Sequence, residues 1–118
     1  MGDPVEPKGK IEVSPRAIAS IAYESLMRCY GVVGTASKGL ATDIVSAFSP
    51  TSRPGVVVRV DGGEVFIDLY IIVEYGTRIA SVARSAMNVV KYNVERALGA
   101  PVAEVNVHVQ GVRVSDGE

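Results

Sequence analysis

The sequence predicts an α+β fold, a two-layer sandwich in which one sheet carries two helices on one of its faces. Two segments repeat apolar residues at helical spacing. Between them, residues 56–76 alternate apolar and polar side chains around a glycine turn, which is typical of a β-hairpin. With one strand before the first helix and one after the second, the predicted order is β-α-β-β-α-β in a single antiparallel or mixed sheet.

One domain accounts for most of the chain. Its 118 residues and 47% hydrophobic content fit a single domain with its own core. We place this domain at residues 9–114. Residues 1–8 contain two prolines and mixed charge and are predicted to be a flexible tail, as are residues 115–118.

The first half of the domain begins with a strand candidate at residues 10–13 (KIEV) and continues with a helix. Ser14 is placed to cap that helix, Pro15 fits its first turn and Gly31 provides its end. The buried stripe of the helix follows the i, i+3, i+4, i+7 spacing at Ile18, Ile21, Ala22, Ser25, Leu26 and Cys29.

Residues 34–55 are the least regular segment and contain three glycines and two prolines. A short helix is predicted in the middle of this segment, at Leu40, Ile44, Val45 and Phe48. The remainder, within residues 37–54, is predicted to be loop. A loop of this length inside a small domain is usually functional or mobile.

The second half contains a hairpin, a helix and a strand. The hairpin strands, residues 56–60 and 64–76, are joined by Asp-Gly-Gly. Thr77 is placed to cap the second helix and Gly99 to end it. The final strand changes its alternation around Gly111, which predicts a bulge or the strand's end. The buried stripe of the second helix consists of Ile79, Val82, Ala83, Ala86, Val90, Val94 and Ala97.

The composition argues against several classes of function. Twelve basic and thirteen acidic residues give a net charge of -1, whereas nucleic acids and anionic lipids select a clearly basic surface. We therefore expect no nucleic-acid partner. The N-terminal segment lacks the apolar core of a signal peptide, and no run approaches the about 20 apolar residues that cross a bilayer. We expect a cytoplasmic protein that inserts into no membrane directly and reaches one only through a partner.

The long hairpin strand has two different faces. Its aliphatic face, predicted to pack against the helices, consists of Val65, Ile67, Leu69, Ile71 and Val73. Its mixed face consists of Phe66, Asp68, Tyr70, Ile72 and Glu74. Asp68 and Glu74 would lie about 20 Å apart on an extended strand, so they cannot flank one bond as acid and base. A solvated or partner-binding surface is therefore predicted here rather than an active site.

No other residues predict a catalytic, cofactor or metal site. His108, the only histidine, is predicted on the polar side of the last strand, where it can share the mixed face with Asp68 and Tyr70. One histidine without clustered thiols or acids does not indicate a metal site. Cys29 is the only cysteine, which excludes an intramolecular disulfide, and its place on the buried stripe predicts a core residue. We therefore predict no enzyme, no cofactor and no metal.

Charge is distributed unevenly along the chain. Residues 64–76 carry three acids and no base, a local charge of -3. The second helix carries Arg78, Arg84, Lys91 and Arg96 against Glu95, a local charge of +3. Surfaces of opposite charge would attract each other between two copies, or attract a partner, and large apolar residues among acids are typical of protein-binding surfaces. The predicted protein-binding residues are Phe66, Asp68, Tyr70, Ile72, Glu74, Arg84 and Lys91.

Four segments together resemble the bacterial alkaline-shock protein family. They are GKIEVSPRAIASIA, GVVG, VFIDLYIIVEYG and VAEVNVHVQGV, found in the family's order between residues 9 and 112. The resemblance implies a small cytosolic protein, without known enzymatic activity, tied to cell-envelope and alkaline stress. It also implies that some members are held at the membrane by a separate anchor protein, that some form assemblies, and that some relatives are linked to control of fatty-acid synthesis. Residues 37–54 lack the lysine-rich character common in the family.

The residues and the resemblance together predict a non-enzymatic accessory or scaffold protein of the envelope or alkaline stress response. It would act through protein–protein contacts, as a homo-oligomer or with a membrane-anchored partner at the inner face of the membrane. Three alternatives stay open. They are a regulator of a metabolic enzyme in fatty-acid synthesis, a small RNA-binding module, because small α+β sheets often bind RNA, and a small-molecule sensor with a pocket under residues 37–54.

Overall fold

The computed structural model describes residues 12–36 and 53–114, which form two helices and four strands. In chain order these elements are α1 (Pro15–Met27), β1 (Val32–Thr35), β2 (Val56–Asp61), β3 (Glu64–Glu74), α2 (Ile79–Leu98) and β4 (Glu104–Arg113). Both predicted tails lie outside the described residues. So do the predicted short helix and nearly all of the loop predicted at residues 37–54.

β3 is the central strand of a mixed sheet. β4 runs parallel to β3 along one edge. The other edge is shared end to end: β2 pairs antiparallel with residues 64–69 of β3, and β1 pairs antiparallel with residues 71–73. Tyr70 lies at the junction, where its N–H donates to the carbonyl of Gly55 (2.8 Å) and its carbonyl accepts the N–H of Ala36 (3.0 Å).

The first predicted strand is wrong. The order is α-β-β-β-α-β rather than β-α-β-β-α-β, because residues 12–14 form no strand and β1 follows α1 instead. Residues 10 and 11 of the predicted strand lie outside the described part of the chain. β1 has only four residues, too few to show an alternating pattern in the sequence. It nevertheless pairs because the edge of β3 beyond β2 is free to accept it.

The helix ends follow their local sequence with two exceptions. The predicted end of α1 at Gly31 is wrong, because the helix ends at Met27 with Arg28 as its C-cap. The Ser14 hydroxyl accepts the N–H of Ala17 at 3.1 Å, which confirms the predicted cap of α1. Gly99 ends α2 in the left-handed conformation, as predicted. The predicted cap of α2 is wrong: Arg78 occupies that position without a side-chain bond, and the Thr77 hydroxyl donates to the carbonyl of Glu74 at 2.7 Å. Thr77 therefore secures the end of β3 rather than the start of α2.

The hairpin turn and the predicted bulge are both confirmed. Gly62 and Gly63 join β2 to β3 with φ of 62° and 83°, a two-residue turn in which both positions favour glycine. In β4, Val109 pairs with Ile71 and Gly111 with Ile72, so the intervening residue has no partner in β3. This bulge is the phase change seen in the sequence.

Both helices pack on the aliphatic face of β3, which confirms the predicted two-layer arrangement. The side-chain amide of Asn93 in α2 donates to the Ser25 hydroxyl of α1 at 2.9 Å, and this bond ties the two helices together above the sheet. Ile79 and Ala97, predicted at the two ends of the buried stripe of α2, are exposed, because the helix extends beyond the sheet that its middle covers. The fully buried large side chains are Ile18, Leu26, Ile67, Leu69, Ile71, Val56, Val73, Val90 and Val94. The opposite face of the sheet is covered by no described helix, and we call it the open face.

Candidate functional site

The open face is formed by alternate residues of all four strands. In β3 these are the predicted mixed-face residues together with Glu64, and the strand register adds their neighbours. Because directly paired residues share a face, β2 contributes Val57, Arg59 and Asp61. β1 contributes Gly34, and β4 contributes Glu104, Asn106, His108, Gly111 and Arg113.

A polar cluster occupies the centre of the open face. Asn106 donates its side-chain amide to Oδ1 of Asp68 at 3.2 Å, and Nε2 of His108 lies 3.2 Å from the same oxygen. An ionised carboxylate only accepts hydrogen bonds, so Nε2 carries the hydrogen. The His108 ring stacks on Tyr70 with centroids 4.5 Å apart. This confirms the predicted proximity of Asp68, Tyr70 and His108, and it fixes the orientation of all four side chains.

The predicted apolar residues of this face differ in exposure. Tyr70 is only 7% exposed, so the expectation that it is an exposed contact residue is wrong. It is covered because His108 stacks on its ring at the middle of the sheet. Phe66 is half-buried under the guanidinium of Arg59, 4.4 Å above its ring centroid. Ile72 is half-buried and has no aromatic or charged partner of this kind.

Ile72 lies between two glycines on the open face. Gly34 of β1 and Gly111 of β4 are its cross-strand neighbours, so the residues on both sides of Ile72 have no side chain. We call these three residues the glycine row. Arg113 lies beside this row, because its Nη1 donates to the carbonyl of Val33 at 3.4 Å. Sequence reasoning missed the glycine row: only the register brings two distant glycines together.

The charge of the open face is acidic. Its acids are Asp61, Glu64, Asp68, Glu74 and Glu104, and its bases are Arg59 and Arg113. With His108 neutral, five carboxylates and two guanidinium groups leave a charge of -3 on this face. The acidic character predicted for β3 therefore extends over its neighbours.

The remaining predicted site residues, Arg84 and Lys91, lie on the other layer. Both are exposed on α2, on the side opposite the buried Val82 and Val90. The predicted residues are therefore not one site. Five of them belong to the open face and two belong to the outer surface of α2, on the far side of the molecule.

A concavity lies where β3 leads into α2. It has a volume of about 360 Å³ and is lined by Tyr30, Thr77, Arg78, Ser81 and Ser85 among others. Tyr30 is 84% exposed. Sequence reasoning did not predict this groove, because Tyr30 lies more than forty residues from the other lining residues along the chain.

The described residues hold no arrangement typical of catalysis. His108 has no hydroxyl or thiol partner among them, so Asp68 and His108 are not accompanied by a nucleophile. Within residues 12–36 and 53–114, no three potential metal ligands lie together. Cys29 is buried, its Sγ donates to the carbonyl of Ser25 at 3.4 Å, and burial raises the pKa of this thiol. A raised pKa disfavours the thiolate that a nucleophile requires.

Comparison with known families identifies the chain. Residues 4–114 match the model of the alkaline shock protein family, described as having a cell envelope-related function. The chain belongs to the alkaline shock protein family. This confirms the resemblance found in the sequence. The match spans the open face, both helices and the glycine row.

Relatives of this alkaline shock family member include proteins of Bacillus and Streptococcus. The uncharacterized protein YloU of Bacillus subtilis strain 168 is 42% identical over 110 residues, which cover 92% of each chain. The uncharacterized protein Spy1614 of Streptococcus pyogenes serotype M6 is 34% identical over 108 residues, covering 90% of this chain and 89% of the relative. Their names assign them no activity.

Solved structures of similar fold include the MamM CTD. A zinc form of a MamM CTD variant superposes with a TM-score of 0.52 at 15% identity, covering 86% of this chain and 89% of that one. At this identity the likeness concerns the arrangement of helices and strands alone. Among the described residues of this alkaline shock family member, neither helix has the length and apolar character needed to cross a membrane.

Proposed function

We propose that this protein is a non-enzymatic accessory or scaffold protein of the cell envelope that acts by binding another protein through the open face. Membership of the alkaline shock protein family, with its cell envelope-related function, supports the cellular setting. The observation that carries the mode of action is the open face itself. It is acidic, its central side chains hold one another in place, and it is uncovered within the described part of the chain.

The construction of the open face supports binding rather than simple solvation. A solvated strand face needs no fixed geometry, yet Asp68 accepts two side-chain contacts and His108 stacks on Tyr70. Such bonds fix side chains before any partner arrives, which lowers the entropic cost of binding. Half-buried Phe66 and Ile72 add the apolar contact area that protein interfaces use.

The charge of the open face indicates the chemistry of its partner. A surface of charge -3 favours a partner surface that is basic, and opposite charges accelerate encounter and fix orientation. The partner proposed here is a protein with a basic patch around an apolar centre, anchored at the inner face of the membrane. The proposal therefore includes a cytoplasmic location, with the partner holding the protein at the membrane.

A regulator of a metabolic enzyme is the second candidate, because the same face would serve a soluble partner equally well. The RNA-binding alternative has less support, since RNA-binding sheets present basic and aromatic residues whereas this face is acidic. The pocket proposed for a small-molecule sensor, under residues 37–54, lies almost entirely outside the described residues.

Cross-linking in the source cell followed by purification of the tagged full chain tests the proposal. We expect one envelope protein to be recovered in roughly stoichiometric amount from the membrane fraction, and Ile72→Ser to abolish its recovery. Met27→Ser is the matched control, because Met27 is exposed at the end of α1, on the other layer. Recovery that is unchanged by Ile72→Ser would refute the open face as the binding site. Recovery of a soluble enzyme whose activity changes on addition of the protein would favour the second candidate.

A further inference from the structure

β4 leaves one long edge of the sheet unpaired. Among the described residues it pairs with β3 alone. Successive residues of a strand direct their N–H and C=O groups to opposite edges, so alternate residues of β4 direct these groups away from β3. Within residues 12–36 and 53–114 the outward groups have no backbone partner. A strand edge in this state is a template on which another strand can pair.

The first part of this edge lacks the features that block strand pairing. Edge strands are commonly protected by proline, by charged side chains, lysine above all, or by a bulge. Residues 104–109 (EVNVHV) contain no proline and no lysine, and Glu104 stands at their start. The bulge lies beyond them, between Val109 and Gly111. Residues 104–109 therefore form a regular edge open to pairing, which we call the free edge.

The core is less well covered at the free edge than at the opposite edge of the sheet. Val56 of β2, Leu69 of β3 and Val107 of β4 are paired neighbours in one row of the covered face. Val56 and Leu69 are 0% exposed, whereas Val107 is only half-buried. Val105 is buried near the start of β4, but Val109 is half-buried like Val107. The core is therefore closed at the β2 edge and remains partly open along the free edge.

α2 forms one wall of this opening. Asn93 marks the side of the helix that faces α1, because its amide bonds to Ser25. Met87 lies about 120° from Asn93 around the helix axis, on the side away from α1, where α2 packs over β4. It is half-buried against the core, as are Val107 and Val109. We call these three residues the apolar step, and they lie beside the unpaired backbone groups.

The opposite side of the free edge is polar and acidic. Glu104 is exposed there, and Asp68 lies one strand further into the open face, whose charge is -3 with His108 neutral. A strand added to β4 would direct every second side chain toward the apolar step and the others toward these carboxylates. The chemistry that fits is an extended segment in which apolar residues alternate with lysine or arginine.

We propose that the free edge binds an extended segment of a partner protein as an added strand, with apolar side chains on the apolar step and basic side chains near Glu104 and Asp68. The free edge is a surface beyond the one in the proposed function, because its backbone groups rather than the side chains of the open face make the contact. In this mode main-chain hydrogen bonds provide affinity and alternate side chains provide specificity. The segment needs about five or six residues to match the free edge.

Synthetic peptides added to the purified full chain test the proposal. The probe is a fluorescently labelled peptide of about eight residues in which valine and lysine alternate, and fluorescence anisotropy measures its binding. The control peptide has the same composition, with its valines and lysines in two separate blocks. We expect the alternating peptide to bind at least about tenfold more tightly than the control. Part of its affinity should persist at about 0.5 M salt, which screens charge attraction but not backbone pairing.

N-methylation shows whether backbone groups make the contact. Methylating every backbone nitrogen of the probe removes all of its donors and keeps its side chains and charge, so binding should weaken at least about tenfold. Methylating only the valine nitrogens, or only the lysine nitrogens, leaves donors toward one edge. At least one of these two peptides should bind as the unmodified probe does. A fully methylated peptide that binds as tightly as the probe would overturn the proposal, as would loss of binding in both partly methylated peptides.

Variants of the protein locate the binding edge. Val107→Lys puts a charge on the apolar step, as natural edge strands do, and should weaken probe binding at least about tenfold. Val60→Lys is the matched control, because Val60 is 47% exposed on the covered face of β2, at the opposite edge. Glu104→Lys should weaken binding about threefold or more, and Asp61→Lys, at an exposed site of β2, should not. Circular dichroism checks that each variant folds; should Val107→Lys not fold, Glu104→Lys and the methylated peptides still decide.

Amide hydrogen exchange gives a direct readout of the contact. Bound probe should slow the exchange of alternate amides within residues 104–109 and leave the amides of β2 unchanged. Protection in β2, or full binding by Val107→Lys, would overturn the proposal. So would a wild-type dimer in sedimentation velocity that Val107→Lys dissociates, because a second copy would then occupy the free edge.

The proposed function and the free edge fail separately. Ile72 pairs with Gly111, beyond the free edge, so Ile72→Ser should bind the probe as the wild type does. Loss of the envelope partner in Ile72→Ser without any probe binding would support the open face and refute the free edge. Probe binding with unchanged recovery of the envelope partner in Ile72→Ser would support the free edge and refute the open face.

Discussion

The two faces of β3 are stabilised in different ways. On the covered face, aliphatic side chains such as Leu69 and Ile71 are fully buried against both helices. On the open face, Asp68 and Tyr70 are held by neighbours in the adjacent strand rather than by a second layer. The covered face therefore provides most of the stability of the fold. The open face contributes less to stability and presents polar side chains in fixed orientations. Substitutions on the covered face should therefore lower the free energy of unfolding more than substitutions on the open face.

The largest difference is expected between Leu69→Ala and Ile72→Ala. Leu69 is 0% exposed, so its truncation should lower the free energy of unfolding by about 3 kcal/mol. Ile72 is half-buried, and its truncation should cost about 1 kcal/mol. Urea unfolding followed by circular dichroism, with unchanged m-values, measures both. If both variants lost the same free energy of unfolding, and if that loss grew with protein concentration, the open face would be covered in solution.

Gly55, which has a positive φ, and Gly111, which does not, provide the second test. Gly55→Ala should lower stability by about 2 kcal/mol, because alanine must adopt φ of 77° against the Tyr70 carbonyl. Gly111→Ala should be neutral or stabilise the protein by about 0.5 kcal/mol, because its conformation and surroundings accept a Cβ. Melting temperatures of the two variants, measured under the same conditions, compare their stabilities. A loss at Gly111 as large as at Gly55 would show that the bulge itself needs glycine.

The polar cluster is expected to contribute less. Asp68→Ala leaves Asn106 and His108 without their shared acceptor and should cost about 1–2 kcal/mol. Glu64→Ala, at an exposed site on the same face, should change stability by less than about 0.5 kcal/mol. Because the chain has one histidine, its imidazole proton signals report the stacking on Tyr70 directly. Signals that stay in place in Asp68→Ala would show that stacking alone orients the ring.

The covered face could be predicted from the sequence because burial leaves a periodic pattern. Period two in β3 and period 3.6 in both helices identified the residues that meet in the core. Gly62, Gly63 and Gly99 identified a turn and a helix end because few other residues adopt their conformations. The four-residue β1 was missed because a short strand depends on the edge that accepts it rather than on its own pattern.

The open face was predicted only in part, because its properties depend on register. The alternation placed Asp68, Tyr70 and His108 on one side, but the burial of Tyr70 requires knowing that His108 lies directly beside it. The glycine row depends on two register pairs, Gly34 with Ile72 and Ile72 with Gly111. The charge pattern and the helical spacing, in contrast, did predict an acidic sheet face and a basic helix face, and Arg84 and Lys91 are exposed on the helical layer.

The smallest expected effect concerns Cys29, at the end of the covered layer. Burial raises the pKa of its thiol, so the native state keeps the proton at a pH where the unfolded chain, with a thiol pKa of about 8.5, begins to lose it. The stabilising contribution is therefore complete below about pH 8.5 and is lost as the pH rises through the folded pKa. Stability should fall above that pH by less than about 1.4 kcal/mol per unit, the limit for one proton.

Cys29→Ala should remove this slope, and urea unfolding at a series of pH values measures it. Alkylation gives an independent readout: at pH 8 the native thiol should react far more slowly than the thiol in urea, because only the thiolate of an accessible cysteine attacks. Met27→Ser, near Cys29 but exposed, should leave both the slope and the alkylation rate unchanged. A native thiol that reacts as fast as the unfolded one would mean that the core opens near Cys29. The difference in stability between the covered face and the open face would then apply only to the part of the sheet away from Cys29.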